Sequence, residues 1–445
     1  MHEYRLIIIF LVVSRFFCSG HNECQDLSNP ACPYNYKNTM PDYQDGNSVH
    51  LSDGLRTFME SNMATYLDLV VNNRPPGKFD AATVFEGLGG RALMYLRLYD
   101  RTKDKTYLDT AQDYIDSALL YIDTIPNEYV GFLWGKTGVY CVAAVLYSLR
   151  GDEDGSKAMI QQVQNIFDKA SDDSYAKYDD FDSGRAGLLY AANFLQEYFS
   201  SESEVITRSS IVAVANATVQ RGKALSTDPN KSYLEWISPN DGGRWLGQSH
   251  GSAGVLCQLL NIEELLQPGS ESLALITATV DHIVSKQFPS GNFPSEYYSE
   301  DQDVLVQWDH GSPGVQGMLG KASIVLKNNT YLSSAMLAAD CTWERGLVTK
   351  GLMLCHGIMG NTYMQIYLYK LTGNLRYIDR ALKFQEFVAK TPELSEVGEM
   401  RVPTPNPYSM YTGSWESAIM LWADLLSVVN DDFMNLTMPC YEPGV

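Results

Sequence analysis

Positive charge is scarce in this chain. It has 33 lysine and arginine residues against 53 aspartate and glutamate residues, a formal net charge of −20 over 445 residues. So acidic a protein is repelled by phosphate backbones and by anionic lipid headgroups, so we exclude nucleic acid and anionic membranes as partners. Hydrophobic residues make up 45% of the chain, which is too much for a disordered protein and enough for a sizeable core.

The chain also lacks an apolar run long enough to be a convincing membrane-spanning helix. Residues 6–13 are uniformly apolar, follow Arg5, and precede a small-residue site at Cys18-Ser19-Gly20. The run is too short to cross a bilayer, which argues against a membrane anchor and against stable membrane insertion. The pattern predicts a secretory signal peptide over residues 1–20, and therefore a secreted protein.

Two further features agree with export. Acceptor sites for N-glycosylation occur at Asn216, Asn230, Asn328 and Asn435, each followed by Ser or Thr two positions on. Cys24, Cys32 and Cys440 lie near the termini, where a disulfide would tie down loose ends. The sequence leaves the pairing among these cysteines and Cys341 open.

Two common catalytic motifs are missing. The chain has no Gly-x-Ser-x-Gly stretch, the turn that presents the nucleophile in many hydrolases. Gly131, Gly135, Lys136 and Thr137 resemble a phosphate-binding loop, but the spacing is one residue short and no strand precedes it. We therefore assign no phosphate-binding loop.

A Gly-x-x-Gly motif recurs about every 50 residues along the chain. Its first glycines are Gly87, Gly135, Gly184, Gly251, Gly311 and Gly357, and a seventh copy at Gly413 lacks the second glycine. A period of this size indicates stacked units of one kind rather than independent domains. We therefore expect one domain over residues 51–430, an irregular segment over 21–50, and a C-terminal tail over 431–445.

Each motif is followed by a run that is apolar on nearly every side, such as residues 139–147, which is typical of a buried helix. The run before the next motif is amphipathic, as in residues 107–122, where the apolar side chains recur with the period of a helix. Residues 102–111 and 372–381 repeat the same spacing. Seven such hairpins bury their inner helices by closing into a ring. The sequence thus predicts an all-α fold, an (α/α)7 toroid with about fourteen barrel helices.

Three of the seven histidines share one position in this repeat. His250, His310 and His356 each directly precede a glycine motif, so a closed ring brings them around one cavity. Cys355 and His356 form a candidate ligand pair, and a third ligand from the preceding repeat would give a zinc ion with an open fourth position. Asp309 is the first candidate for that ligand, and His310 is the second. The alternative is that the histidines cap their helices beside a buried free thiol.

A group of carboxylates precedes the third motif. Asp179, Asp180 and Asp182 lie within five residues of Gly184. Paired carboxylates can serve acid–base catalysis, although helix capping explains most clusters of this kind.

Together these residues resemble the lanthionine synthetase C-like family, which includes eukaryotic LanC-like proteins and bacterial cyclases such as the nisin cyclase. The resemblance runs from about Val84 to Leu426. Four stretches carry it: 249–251 (Ser-His-Gly), 288–295 (Phe-Pro-Ser-Gly-Asn-Phe-Pro-Ser), 308–314 (Trp-Asp-His-Gly-Ser-Pro-Gly) and 350–357 (Lys-Gly-Leu-Met-Leu-Cys-His-Gly). It implies a toroid that holds zinc through two Cys and one His. Cys355 and His356 match the adjacent pair, whereas Asp309 stands where the family has its other cysteine.

The resemblance also implies a reaction, the addition of a thiol to a dehydrated Ser or Thr. The expected partners are glutathione, or another thiol, and a dehydroamino-acid peptide. His250 corresponds to the family's active-site histidine, and Asp180 falls where bacterial cyclases carry an acidic catalytic residue. Lys350 resembles a lysine that eukaryotic members use to hold glutathione.

Two alternatives stay open, and the first follows from Asp309, because a carboxylate ligand makes the site less thiophilic than a thiolate does. The first alternative is a secreted protein that binds a metal, glutathione or a peptide without turnover. The second is a carbohydrate-active enzyme, since helical toroids also host that chemistry and a fold does not fix a function.

Overall fold

The computed structural model describes residues 34–72, 82–200, 204–226, 232–238, 241–298, 303–391 and 409–438. Fourteen α-helices lie in these ranges, and no strand is formed there beyond two isolated bridges, Asn35 with Val348 and Trp245 with Glu296. The helices are α1 Asp53–Asn72, α2 Leu88–Thr102, α3 Lys105–Leu119, α4 Lys136–Leu149, α5 Glu153–Phe167, α6 Arg185–Tyr198, α7 Arg208–Leu225, α8 Ser252–Leu259, α9 Glu271–Val284, α10 Ser312–Val325, α11 Asn329–Arg345, α12 Ile358–Thr372, α13 Leu375–Ala389 and α14 Ser414–Leu426.

The even-numbered helices from α2 to α14 are the inner ones. Each begins directly after the first glycine of a motif, and most of their residues are buried. The outer helices bury only one face. In α3, for example, Leu108, Ala111 and Ile115 are buried, while Asp109 and Asp113 are exposed. The predicted division into apolar inner and amphipathic outer helices is therefore confirmed.

The inner helices form a closed ring. Each inner helix contacts the next along the chain, and α14 contacts α2. Six hairpins consist of an inner helix and the outer helix that follows it. The seventh is made from the two ends of the domain, because α14 packs against α1. The predicted seven-hairpin toroid with fourteen helices is confirmed, with this one hairpin discontinuous in sequence.

The match between residues 102–111 and 372–381 has a structural counterpart. Asp104 and Asn374 each cap the following outer helix by accepting a hydrogen bond from the backbone N–H two residues on. The residues before these caps, Lys103 and Gly373, both have left-handed backbones, with φ of 58° and 67°. The same turn therefore joins the inner and outer helices of the first and sixth hairpins.

The second glycine of each motif serves close packing. A Cβ atom added there would lie 1.9–2.2 Å from the carbonyl oxygen six residues earlier. The positions are Gly90, Gly138, Gly187, Gly254, Gly314 and Gly360. No side chain fits at such a distance, so these glycines let each turn lie against the first turn of its inner helix.

The seven turns that precede the inner helices meet at one end of the toroid. We call them the turn ring: residues 82–87, 131–135, 178–184, 245–251, 307–311, 351–357 and 409–413. Backbone hydrogen bonds join six of the seven neighbouring pairs: Val84 N–H to Leu133 O, Gly131 to Ser183, Phe181 to Ser249, Asp309 to Cys355, Cys355 to Tyr411, and Tyr411 to Phe85. The fourth and fifth turns are in contact as well, since a Cβ at Gly247 would lie 1.7 Å from the Asp309 carbonyl oxygen.

The described part of the N-terminal segment, residues 34–50, contains no helix and lies against the outer helices. Arg376 and Arg380 of α13 both donate hydrogen bonds to the carboxylate of Asp42. Asn38 donates to the carbonyl of Trp343 on α11. No helix in the described ranges is long and apolar enough to span a bilayer. The predicted signal peptide, residues 1–20, lies outside the described residues.

Candidate metal centre

Two neighbouring turns of the turn ring bring the three predicted ligands together. Asp309 precedes α10, and Cys355 and His356 precede α12. The Asp309 N–H donates a hydrogen bond of 3.0 Å to the Cys355 carbonyl, which fixes the two turns relative to each other. Adjacent side chains on a helix diverge, so only this loop position lets Cys355 and His356 face one point.

The three side chains offer ligand atoms that all lie within 4.8 Å of one another. His356 Nε2 is 2.9 Å from Asp309 Oδ2, and the Cys355 sulfur contacts His356 Nδ1. The other carboxylate oxygen of Asp309, Oδ1, is buried and has no hydrogen-bond partner among the described residues. A buried charged oxygen without a partner is costly, and a bound cation would satisfy it.

The protonation states of two of these groups already suit a metal. Although burial opposes it, His310 and His356 hold the pKa of Asp309 well below its usual range, so it is a carboxylate. Burial and the nearby Lys350 lower the pKa of His356 to about 4, so it is neutral at pH 7. Burial and Asp309 raise the pKa of Cys355 well above that of a free thiol, and a cation would offset both effects. The donor set fits zinc, which takes Cys, His and Asp ligands.

His310, the second candidate ligand, contacts Asp309 but lies outside the cluster of ligand atoms. Its Nε2 is 3.2 Å from Asp309 Oδ2, and its ring packs against Trp245 with centroids 4.7 Å apart. The cluster of potential ligand atoms contains Asp309 and not His310. This position suits a residue that orients the Asp309 carboxylate.

The fourth turn places His250 between two carboxylates. Its Nδ1 is 3.4 Å from Asp180 Oδ2, and its Nε2 is 3.6 Å from Asp182 Oδ2. Burial alone would lower the pKa of His250, but Asp182 and Asp180 outweigh it and raise the value to about 10. His250 is therefore an imidazolium at neutral pH, and the structure brings the two predicted catalytic residues, His250 and Asp180, together.

Sequence reasoning missed two residues of this group. The sequence groups Asp182 with Asp179 and Asp180 without distinguishing it, and it gives Ser249 no role of its own. The Ser249 hydroxyl donates a 2.5 Å hydrogen bond to Asp182 Oδ2. The third member of the cluster, Asp179, has a structural role, because it pairs with Arg185 and Arg221. Asp179 and Asp182 are therefore distinguished by their partners in the folded structure and not by the local sequence.

Lys350 directly precedes the sixth turn and is half-buried. Its charge lowers the pKa of both Cys355 and His356, so its ammonium group lies within electrostatic reach of the ligands. Burial and the Asp309 carboxylate act on the Cys355 thiol in the opposite direction. The positive charge of Lys350 therefore acts on two of the three candidate ligands.

The predicted modification sites are dispersed. Asn216 and Asn435 are exposed, Asn328 is half-buried, and Asn230 lies outside the described residues. The Asn328 side chain caps α11 by accepting from the Thr330 N–H. In the described ranges Cys141, Cys257, Cys341 and Cys355 are all buried, and none of them forms a disulfide there. Cys24, Cys32 and Cys440 lie outside those ranges, so their pairing stays a prediction.

The fold and the site together define a class of protein: an α/α toroid with a cluster of Cys, His and Asp at one end. The family model for lanthionine synthetase C-like proteins matches residues 78–415. The chain therefore belongs to the lanthionine synthetase C-like family.

The chain is similar to known proteins in both sequence and fold. It is 29% identical over 425 residues to the Danio rerio protein named glutathione S-transferase LANCL1, covering 91% of this chain and 98% of that protein. It is also 29% identical over 368 residues to the LanC-like protein GCL1 of Arabidopsis thaliana, covering 81% of each. The fold is similar to that of nisin cyclase, with a TM-score of 0.59 at 15% identity, covering 84% of this chain and 99% of that one.

Proposed function

We propose that this protein adds a thiol, with glutathione as the first candidate, to a dehydroamino acid and so forms a thioether. One observation carries the proposal. The candidate ligands Asp309, Cys355 and His356 lie on two neighbouring turns of the turn ring, and His250 lies on the turn next to that of Asp309. A relative named glutathione S-transferase supports the choice of thiol.

Asp309, Cys355 and His356 would hold a zinc ion, with one coordination position left open. Zinc in such a site supplies Lewis acidity that favours the thiolate form of a bound thiol. The unpartnered Oδ1 of Asp309 and the neutral state of His356 support this assignment. Lys350 would bind a carboxylate of glutathione beside the site.

The protein's own contribution to the reaction is a proton. As the sulfur bonds to the β-carbon, the alkene electron pair moves to the α-carbon, which then needs a proton. His250 is protonated at neutral pH and would donate it from a ring nitrogen. Asp180 orients the imidazole through Nδ1.

The alternative reading is binding without turnover, and Asp309 is the observation that favours it. A carboxylate in place of a thiolate makes zinc less thiophilic. We do not propose the carbohydrate-active alternative, because Asp180 and Asp182 both face His250 at ion-pair distance.

The decisive experiment measures zinc and turnover on the same purified protein. We expect about one zinc per chain by elemental analysis, and we expect one glutathione to add to a dehydroalanine peptide, followed by mass spectrometry. Cys355→Ala should lose most of the zinc, whereas Cys141→Ala, another buried cysteine, should retain it. Full zinc in Cys355→Ala would refute the site. Full zinc in Asp309→Ala would transfer the ligand role to His310.

The turnover measurement distinguishes an enzyme from a protein that only binds. Loss of turnover in His250→Ala at unchanged zinc content supports the enzyme. Zinc without turnover in the natural protein supports the binding protein.

We also propose that the protein is secreted after removal of residues 1–20 and carries glycans on some of the four predicted asparagines. The exposure of Asn216 and Asn435 supports their modification. N-terminal sequencing of protein from the culture medium, and gel mobility before and after glycosidase treatment, test this. Retention of Met1 together with unchanged mobility would refute it.

A further inference from the structure

The imidazole of His250 faces a carboxylate at each ring nitrogen, at 3.4 Å from Nδ1 and 3.6 Å from Nε2, and the two carboxylates are anchored differently. Asp180 Oδ2, which faces Nδ1, also accepts a 3.3 Å hydrogen bond from the Ser183 N–H within its own turn. Asp182 Oδ2, which faces Nε2, accepts the Ser249 hydroxyl from the neighbouring turn. Asp182 is thus fixed by the residue adjacent to His250 itself.

The backbone around Asp182 is fixed on both sides. The Asp182 carbonyl accepts the Trp134 N–H at 3.1 Å, which ties it to the second turn. The preceding residue, Phe181, donates its N–H to the Ser249 carbonyl at 3.1 Å, which ties it to the fourth. Asp182 and His250 are therefore rigidly placed relative to each other. Asp182 Oδ1 is buried and has no hydrogen-bond partner in the part of the chain that the structure describes.

Asp180 engages Nδ1 in a hydrogen bond. We therefore assign the proton transfer to Nε2. The group that faces Nε2 is Asp182. We propose that Asp182 is a positioning residue for His250 that holds the Nε2 proton and restores it after each turnover, with Ser249 keeping the carboxylate in place. This role rests on the proposed thiol addition.

The proton balance is complete with these groups. When sulfur adds to the β-carbon, His250 Nε2 gives its proton to the α-carbon and becomes neutral. The next thiol loses its proton on forming the thiolate. Asp182 takes that proton and passes it to Nε2, so the net reaction joins one thiol and one alkene with no proton gained or lost.

The charges around the pair are compatible with this exchange. The charged groups that act on His250 are Asp182, Asp180 and Asp309. Burial and the carboxylates of Asp180 and Asp309 raise the pKa of Asp182 to about 7, against the effects of His250 and Ser249. A group with a pKa near neutrality can both accept and release a proton at physiological pH.

The experiment follows the His250 ring by nitrogen NMR in the full-length zinc-loaded protein, which requires no turnover. In Asp182→Asn the titration midpoint of His250 should fall by about one pH unit or more, because one of two flanking carboxylates is gone. Its neutral form should carry the proton on Nδ1, towards Asp180. In Asp180→Asn the neutral form should carry it on Nε2, towards Asp182. Asp172→Asn, an exposed aspartate nearby, is the matched control and should change neither.

Turnover is measured on the same samples. Asp182→Asn should lose about tenfold or more at pH 7 with zinc unchanged, and Asp182→Glu should recover part of it. An unchanged His250 midpoint in Asp182→Asn would overturn the proposal, as would full turnover in that variant. If Asp182→Asn does not fold, Ser249→Ala replaces it. Ser249→Ala should lower the titration midpoint of His250 by less than Asp182→Asn would. An unchanged midpoint would contradict the proposal.

The outcome also separates the two proposals. If the natural protein shows no turnover but the His250 midpoint shifts as expected, the hold of Asp182 on His250 stands and thiol addition is what fails.

Discussion

The guanidinium of Arg91 and the carboxylate of Glu416 form a 2.7 Å ion pair in which both side chains are fully buried. Arg91 lies on α2 and Glu416 on α14, the two inner helices that close the ring. Glu416 occupies the position that the second glycine has in the other six motifs. The departure of the seventh repeat from the pattern therefore coincides with the join between the two ends of the domain.

The first prediction concerns this pair. Glu416→Ala leaves Arg91 charged and buried without its partner, so we expect a loss of about 3–5 kcal/mol in the free energy of unfolding. The double variant Arg91→Met, Glu416→Leu removes both charges and should be close to the natural protein or more stable. Urea unfolding followed by circular dichroism measures both. A double variant as unstable as Glu416→Ala would contradict the account.

The second prediction is the pH dependence of the same pair. Burial raises the pKa of Glu416 to about 7 despite Arg91, so the folded state binds this proton more tightly than the unfolded state. Stability from this group is then present at low pH and is lost as pH rises from about 4.5 through 7, by at most about 1.4 kcal/mol per pH unit. The double variant lacks the group, so its stability relative to the natural protein should rise over that window. A constant difference from pH 5 to 8 would argue against the raised pKa.

The third prediction concerns the ligand that departs from the family. Asp309→Cys exchanges a hard oxygen for a soft thiolate, so we expect zinc to be held about tenfold or more tightly against a chelator. We also expect more turnover of glutathione than in the natural protein. Zinc retention is measured by competition with a coloured chelator, and retention equal to that of the natural protein would argue that Asp309 does not bind the metal.

The fourth prediction tests the packing of the turn ring. A Cβ at Gly314 would lie 2.1 Å from the Trp308 carbonyl oxygen and 3.0 Å from the Gln248 nitrogen. Gly314→Ala should therefore displace the turn that carries Asp309, with a loss of about 2–4 kcal/mol in unfolding free energy and of bound zinc.

Gly54 provides the matched control for Gly314. It lies in the first turn of α1, and a Cβ there meets nothing within 4 Å. Gly54→Ala should stabilise the protein by up to about 1 kcal/mol because alanine favours the helix. Equal effects at the two positions would contradict the packing argument.

The sequence by itself determined the repeat. The apolar runs after each glycine motif and the amphipathic runs between them predicted inner and outer helices, because helix periodicity is a local property. The same reasoning placed Asp309, Cys355 and His356 on neighbouring turns, since Asp309 and Cys355 both stand two positions before the first glycine of a motif and His356 stands directly before one. The structure groups all three within 4.8 Å.

Only the tertiary structure decided which polar residues face one another between turns. Nothing local distinguishes Asp179, bound to Arg185 and Arg221, from Asp182, bound to Ser249 and facing His250. The pairing of α14 with α1, and of Glu416 with Arg91, also joins residues more than 300 positions apart. Such contacts arise when the ring closes, because closure brings the ends of the chain together and selects partners by burial and charge rather than by spacing.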